Sequence, residues 1–381
     1  MDITEFLRIR HVDLAAIAAS ARASVGLEPC DLLLSVGSLA EGLGNDKSDL
    51  DLLLITSRDT DALPAHEVAV VVGTCLFDIQ IIPRRRLDAV LARFAVWAAR
   101  PWDITRIADI GADDRRLLHR LLHCAVVHAG GRSDLAAAQP DLSSLARLKL
   151  QIARHTSRTI QVDMAGHLEA KDYASLVFAS QDLLGHAVDA LAAGYLLTNP
   201  TAKWRSRLLA SLPAEWETAL GIRPSGWSAA ELFWRLHRAP ERPDRLEAGR
   251  HALKIATFAR AAFAWAEQRL LGAPCDGRRP IRWPRVDRVS EDAALPYLAI
   301  DVDFSAHGDG VMIGRLNAFG TPLGLSRREF EMALLFDGST TPREAEIAIC
   351  GSYAVDASKR LVDHMISRVA EAGFSVTSGR N

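Results

Sequence analysis

Asp49 and Asp51 stand two residues apart in an otherwise apolar run, Asp49-Leu-Asp51-Leu-Leu-Leu-Ile55. On an extended strand, residues i and i+2 face the same way, so the two carboxylates converge while Leu50 and Leu52 point into a core. Side-by-side like charges cost stability unless something cationic lies between them. A divalent metal answers that economically, and hard oxygen ligands suit Mg²⁺. Upstream, the apolar run Leu34-Ser-Val ends in Gly37-Ser38. Glycine lets a backbone approach a phosphate closely, and N–H groups at a following helix start, with the Ser38 hydroxyl, can hold its oxygens. Asp78, alone in the apolar run Leu76-Phe-Asp-Ile-Gln-Ile-Ile82, is the best third carboxylate. It would complete a two-metal site, one ion activating an attacking oxygen and the other holding a triphosphate. A turn-capping or salt-bridged acid is its plainer alternative.

The elements that must position these residues follow from the pattern. A helix over 13–24 leads to strand-length runs at 31–36, 49–56, 67–72 and 76–82, the last two joined by a tight hairpin at Val72-Gly73-Thr74-Cys75. Arg84 to Arg100 reads as a helix ended by Pro101. Long Ala/Leu-rich helices are expected over 117–127, 142–164, 171–197 and 250–271, which implies a bundle. A stretch rich in Pro and Gly then reads as a linker. Beyond it, strands are expected at 297–304, 310–316 and 320–325. Helices opened by Ser326-Arg-Arg-Glu329, by Thr341-Pro342-Arg-Glu344 and by Asp356 follow, with a short strand at 374–376. The expected architecture is an α/β catalytic domain with a mixed sheet (1–102), an all-α helical bundle (103–272), a linker (273–289) and a C-terminal winged-helix α+β domain (290–381).

Composition narrows the setting. The chain has 381 residues, 49% hydrophobic and 24% charged, ordinary for a globular protein and long enough for two or three domains. Its 45 basic and 47 acidic residues give a formal charge of -2, which disfavours bulk electrostatic binding to nucleic acid. The five cysteines are scattered without a CxxC pair, arguing against a disulfide framework and for a reducing, cytoplasmic setting. No apolar run approaches the roughly 20 residues needed to span a bilayer, and the charged N-terminus lacks a signal-peptide core.

Gly37-Ser38, ten intervening residues, Asp49-Leu-Asp51, then Asp78 resemble the nucleotidyltransferase superfamily related to DNA polymerase β, most closely its small bacterial branch with the aminoglycoside nucleotidyltransferases. The likeness covers about residues 10–100. It implies that Gly37 and Ser38 bind nucleotide phosphates, that Asp49, Asp51 and Asp78 hold two Mg²⁺, and that Asp78 also helps deprotonate an acceptor hydroxyl. The co-substrate would be ATP or another nucleoside triphosphate. Many small members carry Arg near the position of Glu41, so phosphate binding here would draw on other cations. The segment from Ala190 to Pro213 is similar to a helix of the family's closing domain, which makes Lys203 a possible triphosphate contact; a solvated lysine is the alternative.

A second resemblance concerns the C-terminal zone. A helix ending at Asp337-Gly338, a helix capped at Thr341, the turn Tyr353-Ala-Val-Asp356 and a long helix ending in Gly373-Phe374 are similar to the PqqD-like peptide-recognition family. That resemblance implies that residues 290–381 add a precursor peptide's leader segment as an edge strand. The expected function is transfer of a nucleoside monophosphate to a hydroxyl, on a ribosomally made peptide during its maturation. The alternatives are a small-molecule adenylyltransferase of the antibiotic type and a non-catalytic winged-helix DNA-binding regulator; Lys359, Arg360 and Arg368 would serve the latter, but Asp363 and Glu371 balance them. Other polar residues read as structural. His119, His123 and His128 form a loose group with no acid nearby in sequence, Glu169 and Asp172 read as helix-capping acids, and Lys47 as exposed.

Overall fold

The computed structural model describes residues 1–58, 67–73, 75–101, 103–130, 139–213, 228–271, 294–307, 310–317, 321–350 and 355–376. The linker expected at 273–289, Thr74 of the hairpin and Tyr353 lie outside the described residues, as does the side chain of Asp356. The chain folds into two compact units, one of residues 1–148 with 198–200, the other of 149–197 with 201–381.

In the first unit, helices α1 (Ile3–Arg10) and α2 (Leu14–Val25) precede strand β1 (Leu32–Val36), a short helix α3 (Gly37–Ala40) and strand β2 (Leu50–Thr56). Strands β3 (Glu67–Val72) and β4 (Cys75–Pro83), helices α4 (Arg84–Ala98) and α5 (Ala112–Leu122) and strand β5 (Ala125–His128) follow. Asp2 and Asp13 accept from the backbone N–H groups of Glu5 and Ala16, capping α1 and α2. The five strands lie in the order β3-β4-β2-β1-β5. β2 runs antiparallel to β1 and parallel to β4, so the sheet is mixed.

Alternation decides what each face does. Leu50, Leu52, Leu54, Phe77, Ile79 and Ile81 join Phe6, Ile17, Ala21 and Val25 of α1 and α2 in one buried core. Each of the larger side chains among them, Val, Leu, Ile or Phe, contributes about 1.5–3 kcal/mol on burial. The opposite face carries Asp51 and Asp78 near the end where β1 gives way to Gly37. Further along, that face meets α4, which packs on β2 and β4 and buries Leu87, Val90 and Phe94.

The sequence reading differs from the structure at several points. The helix expected over 117–127 stops at Leu122, and Ala125–His128 pairs with β1 as the outer strand β5. His123 leaves helical geometry at φ −116°, ψ 37°, which ends α5 and lets the chain turn back along the sheet. α1 was not anticipated.

In the second unit, α6 (Leu142–Glu169, entering from the first) and α7 (Tyr173–Gly194) are followed by α8 (Arg205–Ala210), α9 (Ala229–His237) and α10 (Arg245–Leu271). Gly194 lets α7 approach α10, since a Cβ there would lie 2.2 Å from the Trp265 ring. The C-terminal elements are β6 (Tyr297–Leu298), β7 (Val302–His307), β8 (Gly310–Arg315), β9 (Leu323–Leu325), α11 (Arg327–Ala333), α12 (Pro342–Cys350), α13 (Val355–Glu371) and β10 (Ser375–Val376). The strand expected over 297–304 is thus two strands in different sheets: β6 pairs with β10, while β7-β8-β9 form an antiparallel sheet.

Arginines, two of them buried, fasten these elements to the helices. Arg260 of α10 donates to the carbonyls of Leu298, Ala299 and Val302. Burial lowers its pKa to about 10. Arg154 and Arg158 of α6 both meet Asp303 at 2.8 Å.

Candidate functional site

The acids meet because of strand register. Val36 lies opposite Asp51 across the antiparallel β1–β2 pair, and Asp51 lies beside Asp78 across the parallel β2–β4 pair. Asp49 directly precedes β2 and is exposed, on a turn that braces itself. Ser48 Oγ accepts from Asn45 N at 2.9 Å, and Asn45 Oδ1 accepts from Lys47 N at 2.9 Å. Burial, the charges of Asp49 and Glu67, and the close approach of the Asp49 carboxylate raise the pKa of Asp78.

Gly37 closes the site from β1. Its φ is +75°, a left-handed conformation, and a Cβ built there would lie 2.1 Å from Asp51 Oδ2. No side chain fits, so glycine is required by both the turn and the carboxylate it faces. Ser38 follows in the first turn of α3, half-buried.

Asp51 leans toward α5, with Oδ1 3.5 Å from Arg120 Nη2. Arg120 Nη1 in turn donates to Gln80 Oε1 at 2.6 Å. The acids form an oxygen-donor set crowded enough to raise Asp78, which fits a hard divalent ion. Their oxygens are not already gathered as tightly as the ligand atoms of Glu28, Cys30 and Asp31, two carboxylate oxygens and a thiol Sγ within 4.8 Å of one another. That second group is already served by a cation, because Arg58 reaches Asp31 at 3.0 Å and Glu28 at 3.7 Å.

No protein-family model matches the chain. No curated protein matches it either. Among solved structures it is similar to a nucleotidyltransferase-like protein from Exiguobacterium sibiricum 255-15. The two are 12% identical, and the superposition covers 67% of this chain and 75% of that one with a TM-score of 0.31.

The structure also assembles a polar cluster that the sequence reading missed. Glu41, just after α3, accepts from Asn199 Nδ2 at 2.7 Å. His119 Nε2 lies 3.0 Å from Glu41 Oε2. On its other side His119 Nδ1 is 2.9 Å from Thr198 Oγ1, and the rings of His119 and His123 lie 4.7 Å apart. Burial pushes Glu41 up, but the contacts with His119 and Asn199 overcome it and leave its pKa lowered. Burial and the neighbouring His119 lower His123. For His119 and His123 the expectation of no acid nearby is therefore corrected, since the fold delivers Glu41 to them. Through Asn199 and Thr198, the same cluster ties residues 198–200 to the first unit.

Remaining candidates are placed as follows. Lys203 belongs to the second unit, is exposed, and holds its ammonium 5.0 Å from the Trp204 ring centre. Asp172 caps α7 by accepting from Ser175 N. Lys47 is exposed and 3.8 Å from Asp46. Among the described residues no helix is long and apolar enough to cross a membrane.

Proposed function

We propose that the protein is a Mg²⁺-dependent nucleotidyltransferase that moves a nucleoside monophosphate, from ATP or another nucleoside triphosphate, onto an acceptor hydroxyl. The observation that carries this reading is the convergence of Asp49, Asp51 and Asp78 at one end of a mixed sheet, beside a glycine whose missing side chain makes room for the Asp51 carboxylate.

In this account Asp49, Asp51 and Asp78 hold the metal, and Gly37 and Ser38 accommodate the phosphates. Bound Mg²⁺ would supply positive charge to the triphosphate and make the acceptor hydroxyl more acidic. The acceptor oxygen attacks the α-phosphorus, and the bond from that phosphorus to the bridging oxygen breaks, so that pyrophosphate leaves with the electron pair. Asp78, whose pKa burial and its acidic neighbours raise, is suited to take the hydroxyl proton. Arg120 steadies Asp51 from α5.

The acceptor class in this proposal is a peptide bound by a winged-helix-like recognition domain at the C-terminus. The edge of β9 supports it. β9 pairs with β8 alone among the described residues, while the far side of β7 is taken up by Arg154, which donates to the Phe304 carbonyl. A strand added at β9 would take over the Gly324 carbonyl from Arg368 of α13, which donates to it at 3.1 Å. Because Arg368 also pairs with Glu329, it is poorly disposed to contact a nucleic-acid phosphate.

The test incubates the full chain with triphosphates labelled at the α-phosphate, Mg²⁺ and candidate peptides. Label should move to a peptide, and Asp49→Asn with Asp51→Asn should abolish transfer. If the wild type transfers no label and releases no pyrophosphate with any acceptor, the reading fails.

A further inference from the structure

Arg84-Arg-Arg86 opens α4, whose first turn contains no acidic residue and whose N-cap, Pro83, offers no side-chain acceptor. Cations there oppose the helix dipole, at a cost the sequence could avoid with Asp or Glu. Arg84 is discharged by Asp88 at 2.8 Å. Arg86 has no such partner among the described residues. It lines a cleft floored by Gln80 and Ile82 of β4 and walled by Asp113, Arg116 and Arg120 of α5.

The cleft is positively biased. Arg116 and Arg120 are four residues apart and so share a face of α5. Among the described residues three guanidiniums meet one carboxylate, and that carboxylate pairs only loosely with Arg116, at 3.8 Å with both side chains more than half exposed. The neighbouring Asp114 is taken by Arg93 at 2.6 Å. Gln80 stands two residues beyond Asp78 on β4, so the cleft continues the face that carries the acids. Arg120 spans the two places, bonded to Gln80 and close to Asp51. Every one of these residues belongs to the first unit.

We propose that this cleft is an anion subsite, in which Arg86, Arg116 and Arg120 take a phosphate or carboxylate group of the acceptor while its hydroxyl lies at the acids. Guanidiniums suit both groups, because their N–H fork matches the paired oxygens. Assigning the anion to the acceptor rests on the nucleotidyl-transfer reading; the cleft's affinity for anions does not. The consequence is a preference for acidic acceptors and exclusion of polycationic ones, which argues against an antibiotic-type amine substrate.

The experiment measures binding of inorganic phosphate, of acetate, and of a non-hydrolysable triphosphate analogue with Mg²⁺ by calorimetry on the full chain. Wild type, Arg86→Gln/Arg116→Gln and Asp49→Asn/Asp51→Asn are compared. The arginine variant should bind phosphate and acetate at least tenfold more weakly and keep its analogue affinity within about threefold. The aspartate variant should show the reverse. Equal phosphate binding by wild type and the arginine variant would overturn the subsite. A parallel loss of analogue affinity in the arginine variant would assign the cleft to the nucleotide's own phosphates and overturn the acceptor role. If wild type binds phosphate but no analogue, the transfer reading falls and the acceptor assignment with it, while the anion site stands.

Discussion

Gly37→Ala isolates the geometry on which the site depends. A non-glycine residue at φ +75° costs about 1–2 kcal/mol in backbone strain. The added methyl would also lie 2.1 Å from Asp51 Oδ2 and 2.8 Å from its Cγ, so the carboxylate must swing out of its rotamer. That movement costs about 0.5–1.5 kcal/mol. The first unit should therefore lose about 1.5–3.5 kcal/mol, read from hydrogen exchange of the β1 and β2 amides. In an Asp51→Ala background Oδ2 and Cγ are gone and only the Cβ contact at 3.1 Å persists, so the same substitution should cost about 1–2 kcal/mol. The double-mutant cycle then gives a coupling of about 1 kcal/mol. With Asp51 present, displacement of its carboxylate should lower the transfer rate by about 10²-fold. Equal costs in the two backgrounds would refute the close approach of Gly37 to Asp51.

Glu41→Gln should destabilise the first unit by about 1–3 kcal/mol, because His119 and Asn199 lose a charged partner; denaturant midpoints test this. Since the folded pKa of Glu41 is lowered, its contribution is complete above the ordinary value of 4.5 and fades as pH falls through the folded value. Asp78 behaves oppositely. Its folded pKa is raised, so its contribution is complete below the ordinary value of 3.8 and is lost as pH rises through the folded value. Asp78→Asn should flatten that part of the stability profile in thermal melts, and Mg²⁺ should reduce the wild-type slope. Asp172→Ala should cost about 1 kcal/mol through loss of the α7 cap, measured by urea unfolding.

Local alternation made the acids legible. Asp49 and Asp51 stand two apart, and Asp78 is a lone acid in an apolar run, which is how a polar site on a buried strand looks in any sequence. Gln80 followed the same rule, two residues on, and its signal could have been read. Arg120 could not, because only the packing of α5 brings it to β4. The Glu41–His119–Asn199 cluster was hidden for the same reason, since three distant segments meet only in the folded unit. β5 was misread because Ala125-Val-Val-His128 continues an apolar helical run, and no Gly or Pro marks the break after Leu122. The caps Ser326 and Thr341 needed no such context, because each is satisfied within its own turn.

The central claim is that Asp49, Asp51 and Asp78 together hold a divalent ion with a nucleoside triphosphate. Its most direct measurement is Mn²⁺ binding by electron paramagnetic resonance on the full chain, with and without a non-hydrolysable triphosphate analogue. Wild type should bind Mn²⁺ more tightly with the analogue present, and Asp49→Asn, Asp51→Asn and Asp78→Asn should each weaken it by at least tenfold, while Asp31→Asn leaves it unchanged. Binding that ignores the three substitutions, or that Asp31→Asn removes, would contradict the account.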